Sequence, residues 1–333
     1  MYNFVVNRMI KFGAGLLLLP GFLAAQSPSK NSPATTPSST QRADSARAIA
    51  LAETGRCTEA LPLLKKSIHQ VTDRDLKKRI GLLGLHCAMT HDAPFESLDF
   101  LAVLHREFPR DPEVLYAAAH AFSDLSLRSS EDLAREAPFS YQVHVLNAEA
   151  LETQGKWQEA AAEYQKIIDI NPMLPGIHAR LGRALLSLPQ PTAENAAQAK
   201  KEFEQELEID PNNATAEYVL GELAKNDGDF GAAIRHYTRA TRIDTGFAEA
   251  YLGLGSALVS QQQFAEAIPP LETYEKLAPD SPTGHFQLAL AYNGVGRKDD
   301  ANREAALQRE ASKNLEQLKR RVAVGLEQQK PQQ

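Results

Sequence analysis

Two cysteines and a scatter of histidines are the residues of this 333-residue chain whose types could do chemistry. Cys57 falls at the start of one expected helix and Cys87 near the end of the next. Those helices run antiparallel, so the start of one meets the end of the other and brings the sulfurs within bonding distance. In an oxidising compartment the expectation is a disulfide. The alternative is two buried free thiols acting as small apolar groups. His86, Cys87, His91 and Asp92 carry the side chains of a metal site. On a helix, however, positions 86 and 91 lie about 140° apart and share no face. No spaced Cys or His pair elsewhere completes a tetrahedral set, so no metal is expected. The chain also has no Gly-x-Ser-x-Gly, no glycine-rich phosphate loop and no His-Glu-x-x-His. Its many carboxylates are expected on solvated helix faces. No catalytic residue and no cofactor is assigned, and the chain reads as a non-enzyme.

The elements behind these residues repeat. Ala233, Ala267 and Ala301 recur every 34 residues. Twelve residues before them stand Gly221, Gly255 and Ala289, and five before them the break residues Gly228, Gln262 and Gly296. Small residues allow two antiparallel helices to cross closely, and a residue able to turn left-handed ends the first helix of each pair. Large apolar residues at three-to-four spacing fill the seams: Leu220, Phe230 and Tyr237, then Leu254, Phe264 and Leu271. Ile209-Asp210-Pro211 closes a second helix, since proline cannot continue it. Such a period predicts an all-α solenoid of helix pairs.

The pattern resembles the tetratricopeptide repeat. One copy runs from about Tyr141 to Leu174, with Ala148, Gly155, Trp157, Ala160, Tyr164 and Pro172 in order. Further copies start near Ala214, Ala248 and Pro282. Another, from about Leu174, holds five extra residues around Pro189-Gln190-Pro191. Before residue 141 the pattern loosens. Ala48, Gly55 and Ala60 keep the spacing of a first pair over about 41–74, and a second pair is expected over 75–110. A third, shortened pair is expected over 112–139, its second helix near Glu131–Glu136. The resemblance implies a right-handed superhelix and a concave groove, lined by the first helix of each pair, that takes a peptide or a helix. It implies a protein or peptide partner.

On that inner face helical phase places Tyr116 and His120, Val145, Glu149 and Glu152, Arg183, Tyr218, Glu222 and Asn226, Leu252 and Ser256, and Phe286 and Leu290. The candidate ligand groove is Tyr116, His120, Val145, Glu149, Tyr218, Glu222, Leu252 and Phe286. Tyr218, Leu252 and Phe286 form an apolar ladder, one rung per repeat; inter-repeat packing is the alternative for each rung. The paired lysines and asparagines with which chaperone-tail binders of this family clamp a carboxylate are not found. Glu149, Glu152 and Glu222 are expected to repel an acidic ligand.

Residues 1–25 read as a signal peptide: Arg8 and Lys11, an apolar run from Phe12 to Ala24, and a small-residue cut after Ala25. An uncleaved anchor is the alternative, but the run is short for a span and Pro20 interrupts it. The chain is expected to be exported, periplasmic or secreted, as a bacterial member of its kind, with no stable membrane span after cleavage. Residues 26–41 are rich in Ser, Thr and Pro and read as a disordered linker. The further divisions expected are degenerate helical repeats over 42–140, tetratricopeptide repeats over 141–310, and over 311–333 the end of a capping helix and a polar tail. That last helix is expected from Lys298 to Val324, with Lys319-Arg320-Arg321 on a solvated face. Losing Arg8 and Lys11 with the leader leaves 34 basic against 42 acidic residues, a net of −8. Nucleic acid is a poor partner for such a surface. Self-association within an envelope assembly, or service as an accessory subunit of an envelope enzyme, are the other roles this architecture fits.

Overall fold

A computed structural model describes residues 39–91 and 93–328. The expected signal peptide, most of the linker, Asp92 and the end of the polar tail lie outside the described residues. The described chain is helical throughout and divides into two compact units that part at Val143 and His144.

The first unit holds α1 (Ser39–Glu53), α2 (Cys57–Gln70), α3 (Arg74–Thr90), α4 (Pro94–Glu107) and α5 (Pro112–Glu136). Helix α1 begins inside the segment assigned to the linker, at Ser39 rather than after residue 41. Consecutive helices α1 to α5 pack on one another. Asp73 and Asp111 cap α3 and α5 by accepting from backbone amides of their first turns. The core is apolar, built on Leu64, Ile68, Ile80, Phe100 and Leu104. Gly84 makes its tightest contact possible: a Cβ there would stand 2.3 Å from the Phe100 ring.

The shortened hairpin expected over 112–139 is a single helix, α5, of 25 residues. The serines before the expected second helix are absorbed. Ser129 and Ser130 turn their hydroxyls back onto the carbonyls of Leu125 and Ser126, one turn earlier. No glycine, asparagine or proline stands between Glu113 and Glu136 to end the helix.

The second unit begins within α6 (Tyr141–Thr153) and continues through α7 (Trp157–Ile170), α8 (Ile177–Leu186), α9 (Ala193–Ile209), α10 (Ala214–Asn226), α11 (Phe230–Ile243), α12 (Ala248–Ser260), α13 (Phe264–Leu277), α14 (Pro282–Gly294) and α15 (Lys298–Gln328). From α7 onward each helix packs on its successor, and the first helices of adjacent pairs also touch, α10 on α12 and α12 on α14. The five extra residues lengthen the α8–α9 connection, which Thr192 and Asn195 close as a reciprocal capping box.

In five pairs the break residue is left-handed: Gly55, Gly155, Gly228 and Gly296 have φ between 71° and 82°, and Gln262 has φ 58°, whereas α3 ends at His91 with φ −109° and α8 at Ser187 with φ −88°. The crossings pair a glycine with a large ring or chain rather than small with small. The Tyr237 ring lies between Gly221 of its own pair and Gly253 of the next, and a Cβ on either glycine would come within 2.7 Å of it. One buried tyrosine therefore sets two helix separations.

Candidate functional site

The groove residues fall into the two units and are taken unit by unit. In the first, Tyr116 and His120 sit one turn apart on α5, ring edge to ring face at 4.4 Å, with Tyr116 68% exposed. In the second, Val145 is half-buried on α6. Tyr218 is half-buried, its ring 5.0 Å from Phe247 and 5.9 Å from Tyr237. Leu252 packs on the cluster of Leu258, Ala267 and Leu271. Phe286 is 50% exposed, and Leu290, one turn on, is 38% exposed. The three-rung ladder is thus graded: two rungs are committed to packing, and the open apolar surface is on α14.

The acidic residues of this face are internally neutralised, which removes the expected repulsion. Arg180 Nη1 donates to Glu149 at 2.6 Å. Arg183 donates to both oxygens of Glu152 at 2.8 Å, and the Tyr164 hydroxyl donates to the same carboxylate at 3.0 Å. Glu222 is buried, accepting from Lys225 at 2.5 Å and from the Tyr237 hydroxyl. Burial, with the Glu152 carboxylate adding and Arg180 opposing, pushes the Tyr164 phenol up to about 12. Burial and then the Glu222 carboxylate push Tyr237 up as well, so both phenols stay protonated donors.

A second set of polar residues escaped the sequence reading, which placed carboxylates on solvated faces. His144 Nδ1 lies 2.6 Å from Glu163, and His178 Nδ1 lies 2.7 Å from Glu202. Glu217 lies 2.7 Å from His236 Nδ1, and Glu304 lies 2.8 Å from His285 Nδ1. Four repeats therefore join their two helices through an imidazole–carboxylate pair, reversed in one. The signal was in the period: 144, 178, 217, 251 and 285 are the same place in successive repeats once the insertion is counted. Only Tyr251 breaks the series. His178 and His285 are buried, and each turns Nε2 to a proline carbonyl, of Pro172 and of Pro279, at 3.0 Å. At the first pair, burial would raise the Glu163 carboxyl, but hydrogen bonds from Lys166 and His144 hold it below its ordinary value.

Glu206 and Glu217 are wholly buried. Glu206 accepts from the backbone amides of Gly176 at 2.7 Å and Ala179 at 3.2 Å, supplying from α9 the cap that α8 lacks. A carboxylate there also meets the positive end of the helix dipole. Arg239 Nε stands 2.8 Å from the Glu217 oxygen that His236 leaves open.

In the first unit the Sγ atoms of Cys57 and Cys87 are bonded, with their Cα atoms 5.0 Å apart. The bond ties the start of α2 to the last turn of α3. Among the described residues no group of three His, Cys, Asp or Glu side chains is placed to hold a metal ion.

A solenoid of helix pairs with left-handed breaks and a contiguous layer of first helices belongs to the class of repeat scaffolds. The sequence pattern of the tetratricopeptide repeat matches residues 112–175, 192–246, 218–282 and 252–314, more than half of the chain. The chain belongs to the tetratricopeptide repeat family, whose fold is typically a non-catalytic scaffold that binds protein or peptide partners. Anaphase-promoting complex subunit 3 of Schizosaccharomyces pombe is 24% identical over 144 residues, which are 43% of this chain and 21% of that protein. The match thus spans about a fifth of that relative's length. Among solved structures, the crystal structure of MamA protein is 23% identical, covering 52% of this chain and 92% of that one, with a TM-score of 0.47. YrrB, described as a TPR protein with an unusual peptide-binding site, is 16% identical, covering 55% of this chain and 91% of that one, with a TM-score of 0.48. Among the described residues no helix is long and apolar enough to cross a membrane.

Proposed function

We propose that this chain is an exported scaffold that holds a peptide or helix against the first-helix layer of its second unit, with Phe286 and Leu290 as the apolar anchor. The observation that carries the reading is their exposure on α14 beside a layer whose carboxylates are already paired. Exposed apolar side chains on a family scaffold for partners are an expected contact, and aromatic anchors often dominate such binding. Neutralised carboxylates leave the surface indifferent to ligand charge, so the ligand is apolar rather than basic. Crosslinking and pull-down from the native envelope test this. Phe286→Ala with Leu290→Ser should lose capture at unchanged circular dichroism, and undiminished capture moves the site elsewhere.

Export rests on Arg8, Lys11, the apolar run to Ala24, and the Cys57–Cys87 bond, which an oxidising compartment sustains. N-terminal sequencing of the exported protein should begin at or near Gln26, in the periplasm or the medium. A retained Met1 on membrane-bound protein contradicts cleavage.

A structural role in an envelope assembly is the second reading. It draws on α15, where Leu315, Leu318 and Val322 are exposed at three-and-four spacing. Light scattering that finds mass rising with concentration favours it.

A further inference from the structure

His285 carries a feature the other imidazole–carboxylate pairs lack. Two carboxylates, from two different helices, face its Nδ1: Glu304 on α15 at 2.8 Å and Glu275 on α13 at 3.2 Å. All three side chains are nearly shut off from solvent. The remaining Glu275 oxygen, Oε1, is buried without a hydrogen-bond partner. It fits there because residue 284 is glycine, since a Cβ at that position would stand 2.2 Å from it. The charged groups around the cluster are few. Arg303 on α15 stands 3.9 Å from the outer oxygen of Glu304. Glu272 on α13 is engaged by the Tyr292 hydroxyl of α14 at 2.7 Å. Glu249 of α12 lines the neighbouring cleft with Tyr274, Ser281 and Pro282. Among the described residues no lysine or arginine pairs with Glu275.

We propose that Glu275, His285 and Glu304 form a proton-dependent latch on the last helices, closed when a proton resides on Glu275 and weakened when that proton leaves. Two carboxylates and one imidazole cannot all be balanced without it, and an unpartnered buried oxygen is a poor place for negative charge. Burial, with the Glu304 carboxylate adding and His285 opposing, pushes the Glu275 carboxyl up to about 7. A carboxyl whose folded pKa exceeds its unfolded one stabilises the fold most below the unfolded value. That stabilisation declines as pH rises and is gone above the folded pKa. The window here runs from about 4.5 to about 7. Helix α15 is thus held more firmly at pH 5.5 than at pH 8.5. This does not depend on groove binding.

The test is hydrogen exchange of the whole protein, corrected for intrinsic rates. Protection of the α15 amides from Ala301 to Gln308 should fall on the order of thirtyfold between pH 5.5 and 8.5. Glu275→Gln keeps the shape and removes the titration, and should flatten that dependence. Glu304→Gln should move it to lower pH. The α8 amides beside His178 serve as an internal control, since one carboxylate, Glu202, faces that Nδ1. Carbon-detected NMR titration of glutamate Cδ in the unmutated protein reads Glu275 without any variant. A Glu275 midpoint in the ordinary carboxylate range, or equal pH dependence in Glu275→Gln and the parent, overturns the latch.

Discussion

Among the described residues of 39–143 the buried polar side chains are three serines, Ser45, Ser67 and Ser97. In residues 144–328 the buried set includes His178, His285, Glu206, Glu217, Glu222 and Glu304. The first unit joins its helices by apolar contact, a covalent bond between Cys57 and Cys87, and ion pairs left partly open to solvent, such as Lys65–Asp99 and Lys78–Asp111. The second adds to its apolar contacts buried and part-buried hydrogen bonds between imidazole and carboxylate groups, repeated at the period of the chain. One fold therefore fixes helix pairs in two ways. Apolar contact with a covalent tie is indifferent to pH and sensitive to reductant. Hydrogen-bonded carboxylate joints fix angle as well as distance, at the expense of desolvating the carboxylate.

Breaking the covalent tie gives the largest expected effect. Replacing both cysteines by serine, or reducing the bond, should cost about 3–4 kcal/mol for a closed loop of 30 residues. In thermal unfolding the loss should fall on the first unit, leaving exchange protection of α10 to α13 unchanged. Thiol titration of denatured, unreduced, exported protein should find no free thiol. Next comes overpacking. Gly84→Ala drives a methyl into the Phe100 ring and should cost about 1–3 kcal/mol in urea unfolding. The second unit's counterpart is Glu206→Ala, which strands the buried amides of Gly176 and Ala179. It should cost about 1–3 kcal/mol, with faster exchange at those two amides. The smallest effect is at the surface. Arg56→Ala removes an exposed pair with Glu59 and should change stability by less than about 1 kcal/mol, inside the error of a denaturant melt. A large loss there would mean that the contrast drawn between buried and surface charge is misplaced.

The helix pairs were legible because their period is carried by residues with one physical job. Gly228, Gln262 and Gly296 were chosen as breaks from spacing, and all three are left-handed, including the glutamine. Helix α5 departs from the shortened pair expected over 112–139: its Ser129 and Ser130 hydroxyls bond within the helix, which runs on without a break. The groove face was read from phase, but phase does not say which neighbour a side chain meets. Tyr218 stacks on Phe247 from the next pair's approach, and Glu222 is claimed by Tyr237 from the facing helix. The imidazole–carboxylate pairs were periodic in the sequence. They were missed because burial of a carboxylate depends on a partner 19 or 24 residues away.

The cap that Glu206 places on α8 makes the start of one helix depend on the end of the next. Helix α8 starts at a glycine and has no side-chain cap of its own. Its first amides wait for a residue 30 positions further along the chain. Until Glu206 is in place, α8 carries open donors at its start, so its first turn and the end of α9 become ordered together.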